Sequence, residues 1–205
     1  MGGKMKDNRI KEIKALGETK FLSLYDALYK NKIGSEKHWT IASRKDLKTL
    51  KQQFFEGKEE KIDAVIIAAL HKESKKLVVI KQFRIPLNDY VYELPAGLVD
   101  GQESMETAVE RELMEETGLN LVEINYEKSK SKVYASVGMT DESLAMVYCT
   151  CEGEITNKFL EEDEDIEAML VSQEEAKSML KKDIKMDIKA FMTLQSFADF
   201  GEKLF

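Results

Sequence analysis

The 205-residue chain is short of several things, and each shortage excludes a class of protein. Two prolines, 11 glycines and no low-complexity stretch leave no room for long disordered linkers. The two cysteines, Cys149 and Cys151, are too few for a disulfide framework or a four-ligand zinc set. Their C-x-C spacing is not that of a redox pair. The apolar run around them reads as a strand carrying buried or half-buried thiols in a reducing compartment. No apolar run approaches about 18 residues, so no membrane-spanning helix is expected. The opening MGGKMKDNRI has neither the apolar core of a secretory signal nor the Ser or Thr that a myristoylated Gly2 needs. The expected location is cytoplasmic. Positive charge is also scarce. With 31 Lys and Arg against 38 Asp and Glu, a net charge of −7 argues against a nucleic-acid partner. The lysine clusters at 45–51, 128–132 and 181–185 read as solvated surface. The only histidines, His38 and His71, lack partners at metal spacing and read as surface or turn residues.

What is present suits one globular domain with a small appendage: 43% of the residues are hydrophobic. Residues 1 to about 18 are polar and read as frayed. FLSLYDALY (21–29) and HWTIAS (38–43) read as strands flanking a turn at NKIG, a β unit too small to stand alone. The charged stretch 45–61 reads as a linker. The expected boundary divides 1–57, the N-terminal β unit and linker, from a main domain over 58–205. There IDAVIIAAL has the continuous apolar character of a strand buried on both faces. KKLVVIKQFR, DYVYEL, LVEINYE, KVYAS, SLAMVYCTCEGEI and DIEAMLVS read as further strands. QEEAKSMLKK and MDIKAFMTLQSFADF read as two closing helices, giving an α/β layered domain.

One segment stands apart. GLVDGQESMETAVERELMEETGL (97–119) holds six glutamates, Asp100 and a single basic residue, Arg111. As a helix over 104–117 it has an apolar stripe of Met105, Ala108, Val109 and Leu113. Glu112, Glu115 and Glu116 then converge at i, i+3 and i+4. Unpaired like charges at that spacing cost a few tenths of a kcal/mol per pair (about 0.2–0.5). They also sit at the end of the helix where the dipole disfavours negative charge. A hard divalent cation, which takes carboxylate oxygens, resolves both conflicts. Arg111 can reach Glu115 at i+4.

The spacing is G-x5-E-x7-R-E-U-x-E-E-x-G-U, where U is a bulky aliphatic, with no departure. A chance match is on the order of 10⁻⁹ per starting position. The motif resembles the Nudix box, and the chain is identified as similar to the Nudix hydrolases. The resemblance implies an α/β/α sandwich preceded here by the small antiparallel β unit. It also implies hydrolysis of a nucleoside diphosphate linked to another group, with Mg²⁺ or Mn²⁺ as cofactor. Carried over by position, Glu112, Glu115, Glu116 and the carbonyl of Ala96 would be metal ligands. Arg111 would orient the carboxylates, Glu103 would support the loop, and Gly97 and Gly118 would serve backbone geometry.

Around the box, VVIKQFRIPLNDYVYELPAG (78–97) resembles the ADP-ribose pyrophosphatase branch. That resemblance implies ADP-ribose as substrate, AMP and ribose 5-phosphate as products, and a domain-swapped homodimer built through the N-terminal β unit. It implies substrate contacts from Arg84, Glu93 and Glu142, and base stacking on Trp39, with Phe21 and Tyr25 as alternatives. FLEEDEDIEAMLVSQEEA (159–176) resembles the branch's catalytic loop, with Glu162 preferred and Glu164 second as general base. One departure is Val137, in YASVGMTDE, where the branch usually has proline. It leaves room for another nucleoside diphosphate sugar such as GDP-mannose. A non-catalytic nucleotide-sugar sensor is the reading from a different class, set against the presence of all three box glutamates.

Overall fold

The computed structural model describes residues 8–205; the readings of the first seven residues lie outside them. The chain forms two compact units. One comprises residues up to Asp63 together with Tyr134–Ser143, the other Ala64–Val133 together with Leu144–Phe205.

The first unit is a three-stranded antiparallel sheet of β1 (Ile10–Glu18), β2 (Ser23–Lys30) and β3 (Glu36–Ser43) in that order, followed by helix α1 (Leu47–Phe55). Two segments differ from the expectation. Residues 10–18 are a strand rather than frayed, and 47–55 are a helix rather than a linker. Both are charged stretches held by few apolar side chains. Ile13 from β1, Tyr25 from β2 and Leu50 from α1 form one buried cluster, with Leu47 and Phe54 packed against it. Asp46 caps the helix by accepting the Thr49 N–H at 2.7 Å. Tyr25 is therefore a core residue, its hydroxyl donating to the Lys45 carbonyl, and not a stacking surface. The segment 134–143 joins this unit through charge. Lys45 Nζ lies 3.0 Å from Asp63 and 3.1 Å from Asp141, and Asp63 accepts the Ser143 N–H at 2.8 Å.

The second unit runs β4 (Ala64–His71), β5 (Lys76–Arg84), β6 (Asp89–Glu93), β7 (Ala96–Leu98), α2 (Met105–Thr117), β8 (Asn120–Ile124), β9 (Lys130–Tyr134), β10 (Ser143–Glu152), β11 (Ile166–Val171), α3 (Gln173–Met179) and α4 (Ile188–Phe200). Its sheet has the order β11-β5-β4-β10-β8, with β6 on β5, β7 on β4 and β9 on β10. The central pair β4–β10 is parallel. All eight residues of β4 are buried, which requires cover on both faces. Helix α2 packs on β4, β7, β8 and β11. A separate cluster joins Leu70, Leu77, Val79 and Val171 of the sheet to α3 and α4 through Ala176, Leu194 and Phe197. The result is the expected α/β/α sandwich with an N-terminal antiparallel sheet.

His71 is not a surface residue. It is buried at the end of β4, where Nδ1 accepts the Ser74 N–H and Nε2 donates to the Gly153 carbonyl at 3.0 Å. Cys149 and Cys151 are buried free thiols on β10. Burial pushes both up, Cys151 to about 12, which leaves them unreactive at neutral pH. No helix among the described residues is long and apolar enough to cross a membrane.

Candidate active site

The acidic segment is a strand, a loop and a helix. Strand β7 pairs with β4, placing Gly97 opposite Val65. The loop closes when Glu103 N–H donates to the Asp100 carbonyl and Asp100 N–H donates back to the Glu103 carboxylate, at 2.8 and 3.1 Å. Ser104 caps α2 by accepting the Thr107 N–H. Gly118 ends the helix in the left-handed region at φ 75°, its N–H on the Met114 carbonyl. A Cβ at Gly118 would also run into Thr156, whose N–H donates to the Thr117 carbonyl at 3.0 Å.

Arg111 is the centre of the cluster. Its Nε and Nη2 donate to the two oxygens of Glu103, each at 3.0 Å. Nη1 donates to Glu112 at 2.8 Å and to Glu115 at 2.9 Å, and Nη2 also donates to the Leu98 carbonyl at 2.9 Å. Those bonds use all five N–H groups of a guanidinium. Its charged form is correspondingly favoured, and Glu103 is held below the usual carboxylate range by the same pairing. Arg111 has no donor left for a substrate.

Glu112 and Glu116 lie inward, only 7% and 4% exposed. Burial pushes the Glu112 carboxyl up, against the pull of Arg111. Burial pushes Glu116 well above the usual range; the Ala96 N–H, which donates to it at 2.9 Å, opposes this, while the charges of Glu112 and Glu164 add to it. Gly97 has a reason that the spacing alone does not reveal. Its φ is ordinary, but a Cβ there would overlap the Glu112 carboxylate. As placed, the positive charge among these acids is the Arg111 guanidinium. Among the described residues no three Asp, Glu, His or Cys side chains surround one point at metal-ligand distance. The donor set nevertheless fits a hard divalent cation: two buried carboxylates whose proton affinity is raised by burial and by neighbouring carboxylate charge, a third at the rim, and a side-chain-free cradle at Gly97.

The other expected site residues divide into three groups. Arg84 on β5 and Glu93 on β6 are offset in register, opposite Asp89 and Ile80 respectively, yet their side chains meet in a two-pronged ion pair, with Nε to Oε1 at 2.6 Å and Nη2 to Oε2 at 2.7 Å. The sequence reading put both on substrate and did not foresee that they bind each other. Glu162 and Glu164 sit in the loop between β10 and β11. The charge of Glu164 acts on both Glu112 and Glu116, raising their proton affinity. Trp39 and Glu142 belong to the first unit. Trp39 is 52% exposed and lines a cleft of about 310 Å³ with Ile41, Tyr134, Val137 and Met139, while Glu142 is bound by Arg44 Nε at 2.6 Å.

Comparison with known proteins agrees with this geometry. A profile of the NUDIX domain matches residues 60–194. A Caenorhabditis elegans protein named as a Nudix hydrolase is 36% identical over 114 residues, 53% of this chain and 50% of that one. The ADP-ribose pyrophosphatase of Saccharomyces cerevisiae is 33% identical over 150 residues, 71% of this chain and 60% of that one. The chain thus spans between half and three-fifths of these relatives' lengths. A solved structure of an ADP compounds hydrolase superposes with a TM-score of 0.68 over 97% of each chain at 13% identity, which shows a shared fold. The acidic helix, the sandwich that carries it and the matching profile place this chain in the Nudix hydrolase family.

Proposed function

We propose that the protein hydrolyses the pyrophosphate bond of a nucleoside diphosphate sugar, ADP-ribose foremost, to AMP and ribose 5-phosphate. The observation that carries this reading is the convergence of Glu112, Glu115 and Glu116 on one side of α2, beside Ala96 and the Gly97 cradle. The names of relatives such as the yeast enzyme support the choice of ADP-ribose. Glu112, Glu115, Glu116 and the Ala96 carbonyl would hold Mg²⁺, or Mn²⁺ in its place. A divalent cation there supplies charge neutralisation of the pyrophosphate and a bound water of lowered pKa. Arg111 keeps Glu112 and Glu115 in place by bonding to both. Glu164 is the loop carboxylate favoured as proton acceptor from the attacking water, ahead of Glu162, because its charge reaches the buried pair. Trp39 offers an exposed ring for the nucleobase. The Arg84–Glu93 pair stands within electrostatic reach of Glu116 and orders that edge of the site toward the substrate.

The test is chromatography of products from ADP-ribose, GDP-mannose, UDP-glucose and NADH with Mg²⁺. Fastest cleavage of ADP-ribose supports the reading despite Val137. Faster cleavage of GDP-mannose would move the assignment to a guanine nucleotide sugar.

The cradle itself can be probed. Gly97→Ala pushes the Glu112 carboxylate out of its place, since a side-chain tip yields more easily than backbone. Activity should fall at least about tenfold, the scale of losing a group that orients a metal ligand, while the melting temperature changes little. Assembly gives another expected result. The N-terminal unit exposes Leu16, Phe21, Leu22 and Leu24, an apolar surface that a second copy would cover. Light scattering should give about twice 23.4 kDa, and a monomer mass would remove the homodimer from this account.

A further inference from the structure

We propose that Tyr90 is a positioning residue for this reaction, acting through Asp165 to hold the end of the acidic loop that carries Glu164. The inference rests on the hydrolytic reading above.

Tyr90, Phe83 and Asp165 occupy one rung across three neighbouring chain segments. Tyr90 on β6 is the register partner of Phe83 on β5. On the other edge of β5, β11 begins with Ile166 opposite Gln82, and the Phe83 N–H donates to the Asp165 carbonyl at 3.1 Å. The Tyr90 side chain reaches across β5, and its hydroxyl donates to Asp165 Oδ2 at 2.6 Å. The ring is fixed on the way. It meets Phe83 edge to face with centroids 5.4 Å apart, and Lys81 Nζ sits 4.8 Å from its centre.

Asp165 is the residue after Glu164, so what holds one limits the other. Residues 161–164 form a closed turn: Glu164 N–H donates to the Glu161 carbonyl at 3.1 Å, and the Glu164 carboxylate accepts the Glu161 N–H at 2.9 Å. A turn closed on itself moves as a piece, and its direction is set by its attachments. At the far side the loop is held where Thr156 donates to the end of α2. At the near side it is held by Asp165, through one backbone bond to Phe83 and one side-chain bond to Tyr90. The backbone bond fixes where the loop enters the sheet. The phenol bond restrains rotation about that entry, and hence the distance from Glu164 to the buried acids of α2.

Three variants and their steady-state kinetics on ADP-ribose with Mg²⁺ test this. Tyr90→Phe keeps the ring on Phe83 and removes only the hydroxyl. It should lower kcat about five- to tenfold with KM unchanged within about twofold, the effect of losing one net hydrogen bond at a reacting geometry. Asp165→Asn keeps an acceptor for the phenol and should retain most of the rate. In a Glu164→Gln background Tyr90→Phe should add nothing, because both changes act through one carboxylate. A Tyr90→Phe enzyme with wild-type kcat, or losses from Tyr90→Phe and Glu164→Gln that multiply, would overturn the inference alone. A wild-type protein that cleaves no nucleoside diphosphate sugar would overturn the hydrolytic reading and this inference with it.

Discussion

Replacing Glu116 by Gln is expected to lower kcat by about 10³-fold or more. Removing a buried carboxylate that would hold the cation forfeits several kcal/mol of transition-state stabilisation, at about 1.4 kcal/mol per tenfold. The same change should raise the melting temperature of the metal-free protein. Glu116 is buried, faces Glu112 and Glu164, and has its proton affinity raised by both burial and charge. A carboxyl whose folded pKa lies above its unfolded value supports the fold while protonated and loses that contribution as pH rises through the folded pKa. At neutral pH the wild type therefore bears a cost that the neutral amide of the Glu116→Gln variant avoids. The amide still offers an oxygen to the Ala96 N–H. Thermal unfolding in chelator should show the variant more stable at pH 7, with the gap closing as the pH is lowered toward the ordinary carboxylate range. Saturating Mg²⁺ should reverse the order. A cation at 100 times its Kd stabilises by about 2.7 kcal/mol, and the variant should gain little of this.

Arg111→Ala should cost the fold more than any other single change in the site. Among the described residues the guanidinium is the cation bonded to Glu103, Glu112 and Glu115, and it also satisfies the Leu98 carbonyl. Without it, three carboxylates converge with no counter-charge. Two of them, Glu103 and Glu112, have side chains only about a tenth exposed. Breaking a buried pair by removing one partner costs about 3 kcal/mol or more. For a chain of this length that corresponds to a fall in Tm of roughly 6–12 °C. Arg111→Lys should recover little, since one ammonium cannot reproduce a planar fork that serves four acceptors. Urea unfolding of the three proteins measures this directly. A cost below about 1 kcal/mol would mean that the cluster does not depend on Arg111.

The box helix was legible because it is local. Its caps, its apolar stripe and the i, i+3, i+4 glutamates all lie within 23 residues, and helical geometry converts their spacing into position. The strands β4, β5 and β10 were legible for a related reason, their continuous apolar character. What was missed depends on partners distant in the chain. The strand over 10–18 and the helix over 47–55 present mostly charge and are held by Ile13 and Leu50, whose burial needs Tyr25 between them. His71 is buried by a bond to Gly153, 82 residues away. Arg84 and Glu93 each looked like a substrate ligand on its own. The β5–β6 register sets Arg84 opposite Asp89 and Glu93 opposite Ile80, so the pair is diagonal and only the folded side chains show that they are each other's partners. The choice between Glu162 and Glu164 could not come from composition, because both lie in one acidic run. The charge of Glu164 acts on the buried acids of α2, and that is the ground on which it is proposed as the base.

The most direct measurement of the central claim is the fate of ADP-ribose as the cation is withdrawn and restored. Purified protein is incubated with ADP-ribose in chelator, then with Mg²⁺ in excess, and the products are separated by ion-exchange chromatography. The account predicts intact ADP-ribose in chelator, AMP and ribose 5-phosphate in equal amounts once Mg²⁺ is added, and product formation from Glu116→Gln slower by about 10³-fold or more with Mg²⁺ present. ADP-ribose that stays bound and intact in the presence of Mg²⁺ would contradict it, and would leave a nucleotide-sugar sensor in place of a hydrolase.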